Sequence, residues 1–202
     1  GEGGMVVTNN KYLYENMKMM RAHGWVRDLS NHKYYEKKYP GIDPKYLFVN
    51  SGFNLRSNEL SGIMGISQLK KLNNFNKIRN NIANIWSNTI NKSNLLNIMK
   101  PMKIEKYIKP AWFGFPIIFK NKEILEKFKK VLKKNKVEFR PIICGNMVRQ
   151  PAMKHYRYSV QGKLTNCDKI MRDGIYIGSS PKSTKHEINI IKTILKNFDK
   201  HI

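Results

Sequence analysis

Acidic side chains are scarce in this chain: 14 Asp and Glu stand against 38 Lys and Arg, a formal charge of +24 over 202 residues. Cysteine is scarcer still, with only Cys144 and Cys167. Two distant thiols build neither a disulfide framework nor a zinc site, so both are expected to be reduced and no metal centre is expected. No apolar run approaches the ~20 residues of a membrane span, and no tripartite leader opens the sequence. A soluble, cytoplasmic protein without a membrane partner is therefore expected. Internal repeats are missing too, as are zinc-finger spacing, basic strands interleaved with aromatics, and a heptad-plus-basic region. The positive charge on its own would point to nucleic acid. It is carried by lysine more than arginine and is spread evenly, however, which fits solvated helix faces better than a shaped binding surface. A nucleic-acid partner is thus not expected, although a basic binding module stays open as a competing class, and attraction of a small anionic substrate remains compatible with the charge.

What is present is enough apolar content, 41%, for one ordinary domain or two small ones. Strands alternate with helices along the sequence. Met5 to Thr8 reads as a buried strand, and Asn9 or Asn10 can cap a helix running to Met20 with Leu13, Met17 and Met20 at helical spacing. Residues 24 to 50 read as a loop too rich in Trp and Tyr to be a passive tether. Ser57 can cap the next helix, in which Leu60, Ile63, Met64, Ile66, Leu69 and Leu72 give a wide apolar surface that implies burial between two domains or two subunits. The pattern runs on toward Trp86, and 88 to 102 carries little information.

Beyond that stretch the alternation is compact. Trp112 to Phe119, Val137 to Ile143 and Gly174 to Ile177 read as strands, while Lys122 to Asn135, Thr165 to Arg172 and Thr184 to Asp199 read as helices. Leu125, Phe128 and Leu132 form one buried stripe, and Ile188, Ile191, Leu195 and Phe198 another. Thr184 and Glu187 stand in capping-box relation. Helices on a small sheet predict an α/β sandwich, with the domain change near Ser87 to Leu95.

The segments that carry chemistry are Gly1-Glu2-Gly3-Gly4, Arg21-Ala22-His23-Gly24, Gly52-Phe53-Asn54-Leu55-Arg56, Gly65-Ile66-Ser67-Gln68-Leu69, Trp112-Phe113-Gly114-Phe115-Pro116, Arg140-Pro141 and the run from Gly145 to Pro151. Glycines beside a carboxylate and an apolar run describe a backbone pressed close to a ligand. An amide donor and a planar guanidinium on a glycine-entered loop can serve phosphate oxygens. The plain alternative is that 52 to 56 is only the turn before a helix, with Asn54 and Arg56 solvated. His23 is read either as a helix-end cap or as lining a site with Arg27. Glu2 is read as fixing its own turn.

Taken together and in this order, these segments resemble the DegT/DnrJ/StrS family of vitamin B6-dependent sugar aminotransferases, including its sugar 3-dehydratase branch. The resemblance implies an α/β enzyme of the fold type I transferase class, aspartate aminotransferase-like, with pyridoxal 5′-phosphate or pyridoxamine 5′-phosphate as cofactor. On this basis 1–56 is the end of a large cofactor-binding domain, 57–92 a connecting helix and 93–202 a small C-terminal α/β domain. The chain is expected to begin just past the residue that anchors the cofactor, so no catalytic residue is visible in it, and alone it is expected to be inactive. The resemblance further implies a homodimer with composite sites and a nucleotide-linked 4-keto-6-deoxy sugar as substrate, in polysaccharide or lipopolysaccharide biosynthesis. Asn54 would reach the cofactor phosphate of the neighbouring subunit. Arg56, His23, Arg27, Arg140, Asn146 and Arg149 would meet the substrate.

Two reactions stay open. A lysine anchor would shuttle protons for transfer of an amino group from an amino acid donor; a histidine there would act as the base that drives loss of the C3 hydroxyl. Amino transfer is placed first as the commoner outcome of the scaffold. The form Gly145-Asn146-x-x-Arg149-Gln150-Pro151, and Leu164-Thr165-Asn166, resemble the dehydratase branch. Residues 25 to 50 hold no cysteine, so the iron–sulfur version of that branch is not expected. A non-catalytic remnant is the third reading.

Overall fold

The structure, a computed structural model, describes residues 3–201. The expected role of Glu2 therefore lies outside the described residues, as does the start of the Gly1–Gly4 segment. The chain divides into two compact units, Gly1–Lys70 and Lys71–Ile202.

In the first unit, helix α1 spans Lys11–Met20, and the Asn10 side chain caps it by accepting from the Leu13 N–H. Its buried residue is Met19; of the expected stripe, Leu13 and Met20 are exposed and Met17 is half-buried. Met5–Thr8 is not a strand. Met5, Val6 and Val7 are all strongly exposed, because a β-branched run has no strand of its own until a neighbour offers it a ladder. The region expected as a loop contains helix α2, His32–Lys38, and a single 3-10 turn at Pro44–Tyr46 entered through the Asp43 side chain. A small core of Met19, Val26, Leu29 and Leu47, with Tyr35 and Val49 against it, explains why this segment is apolar.

Helix α3 is one piece from Glu59 to Asn91. Asn58, not Ser57, provides its entry, accepting the Ser61 N–H at 2.8 Å. Leu60, Ile63, Met64, Ile66, Leu69 and Leu72 on its first half are exposed, while Ile82, Ala83, Trp86 and Ile90 on its second half are buried.

The second unit is a four-stranded antiparallel sheet, ordered β1 (Met99–Pro101), β2 (Gly114–Phe119), β4 (Gly174–Gly178) and β3 (Phe139–Pro141). Burial alternates strictly along β2, as the period of a pleat requires when one face is covered. That face, with Phe115, Ile117, Phe119, Ile175 and Ile177, packs against α4 (Lys122–Lys134), α6 (Lys185–Asn197) and the second half of α3. Phe128 is wholly buried between Phe119, 5.0 Å away, and Phe198, 4.8 Å away. The Trp86 Nε1–H donates to the Ile188 carbonyl at 3.3 Å, fixing α3 to α6. Thr184 and Glu187 form the expected capping box. Helix α5, Thr165–Asp173, leads straight into β4. The strand expected over 137–143 shrinks to Phe139–Pro141, since Pro141 donates no hydrogen bond and Ile143 turns left-handed at φ 47. Among the described residues no helix is long and apolar enough to cross a membrane.

Candidate functional site

Helix α1 ends in a tight reversal. The N–H groups of Ala22 and Gly24 both donate to the Met19 carbonyl, at 3.1 and 3.0 Å. His23 and Gly24 take left-handed conformations, φ 63 and φ 91. A Cβ on Gly24 would strike the Asn50 carbonyl, and one on Gly52 would strike the Gly24 N–H. Only glycine lets these two backbones meet so closely. The returning segment is then stitched to the helix end: Phe53 N–H to Met20 O at 2.6 Å, His23 N–H to Phe53 O at 2.9 Å and Leu55 N–H to Arg21 O at 2.9 Å. Ala22 pairs with Asn54 in an isolated antiparallel bridge, and Trp25 with Phe48. Asn54 and Arg56 therefore rise from a pinned backbone rather than from a loose turn.

Around this hinge the side chains gather on one indole. The Trp25 ring lies 3.7 Å from the Arg27 guanidinium carbon and 5.1 Å from that of Arg56. His23 and Phe48 flank it at 5.1 and 5.5 Å. Arg56 Nη2 reaches Asp28 Oδ2 at 3.3 Å. The structure thus brings together the residues expected at 23, 27 and 56, with Asn54 two positions from Arg56. The Asn54 side chain is exposed and has no hydrogen-bond partner among the described residues. An unengaged amide donor two positions from a guanidinium, on a backbone pinned by hydrogen bonds, is of the kind that serves phosphate oxygens.

The residues expected at 140, 146 and 149 fall in the second unit and do not share one cavity. Arg140, exposed on the edge strand β3, donates to Glu138 Oε1 from Nε at 3.1 Å and from Nη2 at 2.9 Å. That hydrogen bond, with the glutamate's charge, raises its pKa further. Arg140 lines a cavity of about 570 Å³ with Arg79, Phe113, Tyr176 and Ser179. Asn146 and Arg149 instead converge on Asp168. Asn146, almost fully buried, donates to Oδ1 at 2.7 Å and accepts the Val148 N–H at 3.1 Å. Arg149 makes a two-point pair with the same carboxylate beside a second cavity of about 380 Å³. Asp168, Asp28 and Trp25 were not singled out by the motifs. Asp168 and Asp28 pair with residues far away in sequence, as Trp25 does with Phe48 and Arg56, and only the aromatic richness of 24–50 hinted at Trp25. Among the described residues no cluster of His, Cys, Asp and Glu could hold a metal.

Comparison with known proteins gives this geometry a setting. Residues 1–196 match the DegT/DnrJ/EryC1/StrS aminotransferase family. The chain is 31% identical over 201 residues to a GDP-4-keto-6-deoxy-D-mannose 3-dehydratase of Yersinia pseudotuberculosis, covering 96% of this chain and 50% of that protein. It is 31% identical over 117 residues to a UDP-4-amino-4,6-dideoxy-N-acetyl-β-L-altrosamine transaminase of Campylobacter jejuni, covering 58% of this chain and 27% of that one. Its fold superposes on the Escherichia coli GDP-4-keto-6-deoxy-D-mannose-3-dehydratase with bound hydrated PLP, with a TM-score of 0.78, 27% identity, and 94% of this chain and 49% of that chain covered. The chain spans about half the length of these dehydratase relatives.

Proposed function

Because the chain belongs to the DegT/DnrJ/EryC1/StrS aminotransferase family, we propose that the protein carrying it is an enzyme dependent on pyridoxal or pyridoxamine phosphate. Its substrate is a nucleotide-linked 4-keto-6-deoxy sugar, handled in the cytoplasm for polysaccharide or lipopolysaccharide synthesis. The observation that carries this reading is the pinned segment 52–56, which offers the Asn54 amide and the Arg56 guanidinium to anionic oxygens beside Arg27. Such an array serves phosphates with directed hydrogen bonds that a flexible lysine would not supply.

When bound, the cofactor supplies the electron sink, and the protein's part is to choose which bond breaks. In this reading Asn54 donates its amide N–H to the cofactor phosphate of a neighbouring copy. Arg27 and Arg56 orient the substrate's phosphates, with His23 beside them. Within the second unit, Arg140 is assigned to substrate binding, as are Asn146 and Arg149, which Asp168 holds as a wall. Residues 57–92 connect the end of a cofactor domain to the small domain. The exposed ridge Leu60, Ile63, Met64, Ile66, Leu69 and Leu72 is covered by the rest of the protein and by a second copy in a homodimer, since so much apolar surface is not left in water.

Of the two reactions, we take loss of the C3 hydroxyl as the reading to test first. The likeness to a 3-dehydratase runs along 96% of this chain, whereas that to a transaminase covers 58%. Amino transfer from an amino acid donor is the second reading, favoured by the family itself. The test is to give the complete protein a GDP- or UDP-linked 4-keto-6-deoxy sugar with an amino acid donor and to weigh the products. Loss of the C3 oxygen supports dehydration, and a new amino group supports transfer. Absence of both products, together with no coenzyme absorbance, overturns the enzyme reading.

A further inference from the structure

Two guanidinium groups share one aromatic ring in the first unit. Arg27 lies 3.7 Å and Arg56 5.1 Å from the Trp25 ring centroid. Each is attracted to the ring's negative face, yet they repel each other, and among the described residues only Asp28 forms an ion pair with either. That pair, at 3.3 Å with both side chains nearly half exposed, is of the weak, solvent-screened kind. The ring is not placed there by its own hydrogen bond. The Trp25 Nε1–H is buried and finds no acceptor among the described residues, a cost to stability offset by the packing of Phe48 and His23 and the Trp25–Phe48 bridge. What this position provides is one ring in contact with two cations, with one displaceable counterion on Arg56.

We propose that Trp25 is a positioning residue that holds Arg27 and Arg56 as a paired receptor for the diphosphate of the nucleotide-linked substrate, and that Asp28 is the counterion this diphosphate displaces from Arg56. The inference rests on the substrate class given under the proposed function. A diphosphate carries charge on both phosphoryl groups, and planar guanidinium forks bind such oxygens in pairs. In this proposal the common ring holds both guanidinium groups for one diphosphate. Asp28 keeps Arg56 oriented while the site is empty and lowers affinity by the interaction that must be given up.

The test uses the complete protein, titrated calorimetrically with inorganic pyrophosphate, with coenzyme absorbance and sugar turnover measured on the same samples. Trp25→Leu weakens pyrophosphate binding roughly tenfold, ~1.4 kcal/mol, while coenzyme absorbance stays at the parent level. Trp25→Phe recovers most of that loss because an aromatic face remains. Asp28→Asn tightens binding about threefold, as expected for removal of a weak exposed ion pair; this substitution at an exposed position keeps the test decisive even if Trp25→Leu folds poorly. The inference is overturned if Asp28→Asn leaves affinity unchanged or lowers it, if Trp25→Leu binds like the parent, or if the parent ignores pyrophosphate while holding coenzyme and converting sugar. A parent with neither coenzyme nor turnover sinks the functional reading instead, and the pyrophosphate titration still judges Trp25.

Discussion

Arg149 grips Asp168 at two points, Nε to Oδ1 at 3.0 Å and Nη2 to Oδ2 at 2.9 Å. Together with the Asn146 amide, the guanidinium holds the Asp168 carboxyl down to about 2. A carboxyl lowered in the folded state contributes stability that is complete above its ordinary range and fades as pH falls toward the folded value. The clamp should therefore persist at pH 4 and weaken only as pH drops from about 4 to about 2. Carboxyl carbon shifts followed by NMR check this, and an Asp168 midpoint near that of a free aspartate would contradict it.

Removing the carboxylate should loosen what it organises. Asp168→Ala leaves the nearly buried Asn146 amide without its acceptor and frees Arg149. The Val148 N–H, held by Asn146 Oδ1 at 3.1 Å, should exchange with solvent faster. Sugar turnover should suffer in KM more than in kcat if Arg149 and Asn146 form the substrate wall. Unchanged exchange at Val148 would mean that the 146–149 turn stands without Asp168.

The contrast between what was readable in the sequence and what was not follows the range of the forces involved. The Thr184–Glu187 capping box, the α4 stripe of Leu125, Phe128 and Leu132, and the Asn10 cap are local and were legible. Helix α2 was not, because His-Lys-Tyr-Tyr-Glu-Lys-Lys carries no apolar stripe and has no fully buried residue, only Tyr35 lying against the small core. The strand expected at Met5–Thr8 failed for a related reason, since a β-branched run alone does not supply its ladder partner. At the candidate site the motifs pointed to Asn54, Arg56, His23 and Arg27, of which the last three lie against the Trp25 ring. They could not show that Asn146 and Arg149 answer to Asp168, or that Trp25 is the common ring, because those contacts cross long stretches of chain.

In the second unit, stability should hinge on the aromatic stack behind the sheet. Phe128 is wholly buried against Phe119 and Phe198. Phe128→Ala should cost about 3–5 kcal/mol by loss of buried area and the cavity left behind, read as a drop in the denaturant midpoint. A loss below about 1 kcal/mol, the range of a volume-conserving swap, would mean that the stack is loosely packed.

Gly24 is the backbone position on which the Trp25 platform depends. Its φ of 91 is one that L side chains rarely adopt, and a Cβ there would run into the Asn50 carbonyl. Gly41 offers a matched control, because nothing lies near its Cβ position and its backbone is unstrained. Gly24→Ala should destabilise by about 1–3 kcal/mol from the backbone conformation alone, with more from the collision. Gly41→Ala should stay within about 0.5 kcal/mol of the parent. The local readout is the Val49 N–H, which donates to the Gly24 carbonyl at 3.1 Å and should lose exchange protection only in the first variant. If Gly24→Ala retains that protection together with the parent's pyrophosphate affinity, the close approach of these two segments is not what sets Trp25 against its two arginines.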